Sequence, residues 1–269
     1  MNKIKKLMFW LVGIYLLIGV LLYFFQERML FLPETLPTDY VFKFDTPFEE
    51  VFLDVEDGAR LHAIHFKNEN PYGLILYFHG NAGSLKRWGT LVQPLVAKNY
   101  DVLVMDYRTY GKSDGNINEN KLLADALKWY EYATKHYKES EITLYGRSLG
   151  TGFASYVASQ NMPRQLILET PYSSISDVAS IRFPIYPAKL LVRYEFEPIL
   201  YLEETDIPIS IFHGTDDTVV PYRYGEKLFN SLGTKTKRLI TIPGGNHNNL
   251  SVYPDFQKGI DSILNIKKQ

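Results

Sequence analysis

The chain contains no cysteine. Disulfides, thiolate nucleophiles and cysteine-ligated metals are therefore excluded, while every redox compartment stays open. An excess of one charge is also lacking: 29 basic residues face 30 acidic ones, a formal net charge of -1, so there is no basic field for nucleic acid. No internal repeat, low-complexity stretch or phosphate-binding glycine loop is present. His62-x-x-His65 falls in a β pattern that sends the two imidazoles to opposite faces, a poor metal pair. What remains is an ordinary globular composition, 46% hydrophobic and 22% charged over 269 residues, a length that suits one large domain.

One segment departs from that composition. Leu7 to Phe25 (LMFWLVGIYLLIGVLLYFF) runs without a charge. As a helix of about 1.5 Å rise per residue it reaches roughly the hydrocarbon thickness of a bilayer. It ends Tyr23-Phe24-Phe25-Gln26 without the small-residue pattern of a cleaved signal, so an uncleaved anchor is expected. Lys3, Lys5 and Lys6 precede it and Arg28 follows. That bias predicts a cytoplasmic tail (1–6), a transmembrane anchor (7–25), and the remainder on the non-cytoplasmic face, the periplasm in a bacterium. Residues 26–45 read as a linker whose apolar start, Gln26 to Leu36, lies along the bilayer or packs on the domain. Residues 46–269 read as the domain itself.

Within that domain β and α signals alternate. Glu50–Val55 and Arg60–Phe66 flank Asp57-Gly58, a hairpin signal. Short continuous apolar runs at 73–78, 101–105, 142–145, 165–168, 209–212 and 237–242 read as buried strands. Helical patterns fall at 86–98, 119–137, 149–159, 223–231 and the C-terminus. This order predicts an α/β fold, a mostly parallel sheet with helices on both faces, with its site at the carboxyl ends of the strands. Residues 177–204 break the rhythm with Pro184, Pro187 and Pro198 among aromatics and read as a short cap insertion. Phe183, Tyr186, Tyr194, Phe196 and Tyr201 either line a substrate pocket there or pack the cap.

Gly146-Arg147-Ser148-Leu149-Gly150 fits G-x-S-x-G between an apolar strand and a helix, the setting of a nucleophile elbow. A serine at that point also suits a plain helix N-cap, so its partners decide. A serine hydroxyl needs a base, and in chain order serine, acid, histidine only His213 and His247 follow it. His247, in a glycine-rich loop after a strand, is the expected base; His213 reads as structural. Asp216 and Asp217, after the strand ISIFHG, are both placed to orient that base. Glu169 is the weaker third choice, read as a loop or surface carboxylate. The backbone N–H groups of Leu149 and of Asn81, in the loop His79-Gly80-Asn81-Ala82-Gly83, are the expected oxyanion donors, with His79 shaping the loop. Asn249-Leu250-Ser251 fits a glycosylation acceptor triplet.

Taken in order, HGNAG, DYRTYGKSDG, GRSLG, LETPYSSI, HGTDDTVVP and GGNHNNL resemble the membrane-anchored α/β hydrolases, the group that includes the small eukaryotic protein depalmitoylases and serine aminopeptidase-like bacterial relatives. The resemblance covers about Leu74 to the C-terminus, plus the anchor. It implies Asp217 as the acid, within H-G-x-x-D. It implies an α/β-hydrolase fold. Acyl transfer to water through a serine acyl-enzyme, with no cofactor, is the expected chemistry, and small carboxylic esters or thioesters with apolar acyl chains are the expected substrates, because the cap is apolar and the chain sits at a lipid bilayer. Peptidase action and a non-catalytic binding role are the alternatives. Thr109 replaces the glycine usual in Y-R-G-Y-G, a change expected to touch loop packing. The cysteine-rich tail of the depalmitoylases is absent, so their substrate is not carried over.

Overall fold

The computed structural model describes residues 3–264. Residues 1–2 and 265–269, at the ends of the expected tail and domain, lie outside it. A helix, α1 (Lys3–Leu30), is followed by ten strands and nine further helices among the described residues. The strands are β1 (Leu32–Pro33), β2 (Phe48–Asp54), β3 (Arg60–Phe66), β4 (Leu74–Phe78), β5 (Ala82–Gly83), β6 (Asp101–Asp106), β7 (Ile142–Arg147), β8 (Gln165–Glu169), β9 (Ile209–Gly214) and β10 (Lys237–Ile242). The helices are α2 (Leu85–Leu91), α3 (Gln93–Val96), α4 (Glu119–Thr134), α5 (Gly150–Gln160), α6 (Ile175–Arg182), α7 (Ala188–Leu191), α8 (Pro198–Tyr201), α9 (Tyr222–Ser231) and α10 (Pro254–Ile263).

Eight strands form one sheet in the order β10-β9-β8-β7-β4-β6-β3-β2. The β2–β3 hairpin and the β3–β6 pair are antiparallel, and the other five pairs are parallel. Both faces are covered, which explains why the inner strands read as unbroken apolar runs. In β4, Leu74, Leu76 and Phe78 join the core under α4 and α5, while Ile75 and Tyr77 join the core under α2 and α10.

The expected helix 86–98 is two helices. α2 ends at Leu91 and α3 begins at Gln93 with Pro94 in its first turn. Proline donates no N–H and crowds the preceding turn, so it breaks a helix interior but suits a first turn.

α1 buries no residue and exposes apolar side chains all round, and it is long and apolar enough to cross a membrane. It continues through Gln26–Leu30 rather than ending at Phe25. Phe31 is then buried in the core, and β1 pairs in parallel with β5. Of the two courses open to Gln26–Leu36, the segment from Phe31 onward packs on the domain.

Candidate active site

β7 delivers Ser148 to a sharp turn at φ +50°, in the left-handed region that a non-glycine residue seldom occupies. The turn is held by Ser148 N–H donating to Glu169 O (2.9 Å) and by Thr151 N–H and Oγ1 donating to Ser148 O (2.9 and 2.6 Å). The flanking glycines are sterically required: a Cβ at Gly150 would overlap Phe78 O, and one at Gly146 would lie 2.6 Å from Gly150 O. Strain of this kind persists only where the surroundings over-determine it, and it clusters at functional sites.

The structure brings the three expected side chains into one chain of hydrogen bonds. Ser148 Oγ lies 2.8 Å from His247 Nε2, and His247 Nδ1 lies 2.7 Å from Asp217 Oδ2. A carboxylate only accepts, so Nδ1 carries the proton and Nε2 is left free to accept from the serine hydroxyl. Asp217 Oδ1 accepts from the N–H groups of Val219 and Val220 at 2.9 and 2.8 Å. Burial opposes the charge of this carboxyl, but the hydrogen bonds from His213 and His247 outweigh it, and the group is held well below the usual carboxylate range.

The remaining candidates fall elsewhere. Asp216 is exposed, and its carboxylate accepts from Thr215 Oγ1. Glu169 is not the surface carboxylate expected of it: it is buried, ion-paired with Arg147 (3.3 Å), and accepts from Tyr145 OH (2.6 Å). The parallel register Arg147↔Glu169 sets the two side by side, and a buried carboxylate requires such a partner. His213 Nε2 donates to Val220 O (2.8 Å) and lies 3.4 Å from Asp217 Oδ2, so it braces the acid from behind. His62 and His65 face opposite sides, toward Glu50 and toward Tyr137. Among the described residues no group of three or more carboxylates and imidazoles is arranged to hold a metal. Asn249 Oδ1 accepts from Asn246 N–H, which ties down the loop carrying His247.

Asn81 and Leu149 both line the cleft of about 280 Å³ into which Ser148 opens, and the N–H of neither donates to another group among the described residues. The loop carrying Asn81 is fixed through its carbonyl, which accepts from Leu32 N–H (2.9 Å) and Tyr110 OH (2.6 Å). His79 is buried beneath that loop, stacked on Trp88, with Nδ1 near Gly80 O (2.6 Å). Phe183 and Tyr186 line a second, adjoining cavity. Tyr194, Phe196 and Tyr201 instead pack against Phe31, Phe153 and Tyr156.

Two carboxylates with structural roles were not singled out in the sequence. Buried Asp106 accepts from Leu85 N–H at the start of α2 (3.1 Å). Glu119 accepts from the N–H groups of Glu195 and Phe196, pinning the base of the cap to α4. Asp106 closes the strand DVLVM, where an N-terminal helix contact is a readable position. Glu119 carries no comparable signal, because its partners lie far along the chain.

Residues 73–187, from the start of β4 into the cap, match the family model described as the alpha/beta hydrolase fold. The chain is 30% identical to uncharacterized protein R595 of Acanthamoeba polyphaga mimivirus, covering 80% of each. It is 26% identical to the lysophosphatidylserine lipase ABHD12 of Danio rerio, over 89% of this chain and 75% of the relative. It is 27% identical to the uncharacterized membrane protein YNL320W of Saccharomyces cerevisiae, over 81% and 80%. Among solved structures the Pyrococcus furiosus esterase Pf2001 superposes with a TM-score of 0.68 at 18% identity, over 87% of this chain and 96% of that one. The sequence matches and the superposition agree on the framework that carries Ser148 between strand and helix, and the chain belongs to the α/β-hydrolase family.

Proposed function

We propose that the protein is a serine hydrolase that cleaves carboxylic esters or thioesters through an acyl-enzyme, with Ser148 as nucleophile, His247 as base and Asp217 as the acid that orients it. The observation that carries this reading is the continuous Ser148–His247–Asp217 hydrogen-bond chain, at 2.8 and 2.7 Å, at the wall of a cleft. Ser148 Oγ attacks the acyl carbon as its proton passes to His247 Nε2. The imidazolium, stabilised by Asp217, then gives that proton to the leaving alcohol or thiol. A water repeats the sequence to release the acid and restore the serine. The free N–H groups of Asn81 and Leu149 would receive the oxyanion, where one donor is worth ~10²–10³ in rate. The names of two similar proteins, a lipase and an esterase, support ester chemistry.

We further propose that α1 is a membrane anchor with its N-terminus in the cytoplasm, because Lys3, Lys5 and Lys6 precede the span and a relative is named as a membrane protein. Labelling with a fluorophosphonate probe and turnover of a p-nitrophenyl ester test the chemistry. Both are expected in the full chain, with labelling lost and turnover reduced at least ~10⁴-fold in Ser148→Ala. Labelling that survives the substitution assigns the nucleophile elsewhere.

A further inference from the structure

The cleft at Ser148 does not end in the domain. It adjoins a second cavity of about 360 Å³, and both are lined by Leu30, Asn81, Ile175, Val178 and Val219. The far wall of the second cavity is α1 itself, through Leu22, Gln26 and Met29, and the opposite wall is the cap, through Phe183, Tyr186 and Leu191. A third hollow continues between Tyr186 and Leu191 on the cap and Tyr15, Gly19 and Tyr23 on the helix. The three form one apolar groove between cap and anchor, running from the serine along the flank of the helix.

The cap follows that helix into its apolar stretch. Tyr186 stacks on Tyr15 with centroids 4.6 Å apart, over Gly19, whose missing side chain lets the ring approach. Tyr15 OH donates to Ile185 O (3.0 Å), Tyr186 OH donates to Tyr15 O (3.1 Å), and Gln26 Nε2 donates to Leu191 O (2.9 Å). From Gln26 back to Tyr15 the helix runs about 16 Å at about 1.5 Å per residue, roughly half of a hydrocarbon core of about 30 Å. With α1 upright in a bilayer and Gln26 at its surface, the tip of the cap would sit at mid-bilayer depth.

Its chemistry suits that depth. Ile185 and Leu190 are 71% and 80% exposed, with nothing from the protein covering them. Irregular backbone is tolerated in a bilayer only where its polar groups are engaged. Here Pro184 and Pro187 have no N–H, Phe183, Tyr186 and Leu190 donate within the cap, and α1 supplies donors to two carbonyls. Lys189 is exposed, and a lysine stem is long enough to carry its ammonium toward a bilayer interface.

We propose that residues 183–191 enter the bilayer beside α1, and that the groove between them admits the acyl chain of a bilayer-resident lipid ester or thioester to Ser148. The occupant is one lipid acyl chain, because the groove between α1 and the cap is mostly apolar, with Gln26 and Arg182 the polar side chains on its two walls, runs along the apolar stretch of α1 and closes on the nucleophile. The acyl-chain part of this inference rests on the serine hydrolase reading.

The chain's lack of cysteine makes the first test direct. Full-length Ile185→Cys, nitroxide-labelled and reconstituted in phosphatidylcholine vesicles, is expected to be accessible to oxygen and shielded from an aqueous nickel chelate. Val41→Cys, exposed on the domain, is expected to show the reverse. A label at 185 as open to the chelate as the one at 41 overturns the insertion. The second test narrows the groove with Met29→Trp. In vesicles the ratio of kcat/KM for a long-chain p-nitrophenyl ester to that for the butyrate is expected to fall at least tenfold against the unsubstituted protein. An unchanged ratio overturns the acyl route. Absent fluorophosphonate labelling in the unsubstituted chain would instead overturn the serine chemistry, while the depth measurement still decides the insertion.

Discussion

The strand-end site and the cap are held by different means. At the site, backbone and buried polar groups set the geometry: a left-handed serine, glycines with no room for a Cβ, and an acid that accepts from two N–H groups and a histidine. The cap has three short helices, an exposed tip, and contact with α1 through one aromatic stack and a few side-chain hydrogen bonds. The first arrangement tolerates almost no displacement, which suits bond-making. The second rests on fewer buried polar contacts, which suits a wall that must accommodate a chain. Substitutions at the site should therefore change rate, and those in the cap should change which substrate is turned over.

After Ser148, the largest expected effect is at Asp217. Asp217→Asn should lower kcat by ~10³–10⁴, since the amide favours the wrong imidazole tautomer, while exposed Asp216→Asn should change kcat less than about twofold. Comparable losses in ester turnover from both would erase the distinction between them. Because Asp217 in the fold titrates below its unfolded value of about 3.9, the stability it contributes is complete above about pH 5 and is lost progressively as the pH falls through that unfolded value toward the folded one. Thermal melts from pH 3 to 7 should show a shallower acid decline in Asp217→Asn than in the parent.

The next contrast lies within the cap. Phe196 is fully buried against Phe153 and Phe31, so Phe196→Ala should destabilise by about 3–5 kcal/mol. Leu190→Ser, at the exposed tip, should change stability in detergent by less than about 0.5 kcal/mol. Chemical denaturation measures both, and a large loss at Leu190 would show that the tip is clamped rather than mobile.

A smaller effect than that at Phe196 concerns Thr109. It sits at φ +72° with its buried hydroxyl unpartnered, a conformation costly for a β-branched residue. Thr109→Gly should stabilise by about 1 kcal/mol, seen as a rise in melting temperature without a change in kcat. A lower melting temperature would mean that the strain is relieved in some other way.

What the sequence revealed divides along the same line. The elbow was legible because strand, turn and helix are contiguous and each leaves a local mark: an apolar run, two close glycines, a returning helical period. Chain order left His213 and His247, and the glycine-rich loop after a strand pointed to His247. Asp217 needed the resemblance, because two adjacent aspartates differ only in which way the turn points them. The break between α2 and α3 is marked in the sequence by Pro94. Burial of Glu169 depends on register with β7, which no local pattern encodes. The cap was visible only as an interruption, because helices of four residues carry no period, and its partner, α1, lies some 170 positions away in sequence (|i−j| = 170 for Tyr15–Ile185).

The join between α1 and the domain leaves no slack. Gln26 and Glu27 already bond the cap, Phe31 is in the core, and Leu32 N–H reaches Asn81 O. An enzyme on a loose leash samples a hemisphere above the membrane and meets its substrate in any pose. With α1 as the proposed anchor, one mounted this rigidly would meet it at a fixed height and tilt, and its search would be confined to the plane of the bilayer. A chain cut free between Pro33 and Leu36 would lose more than its address: the strand that buttresses the Asn81 loop would leave with the helix.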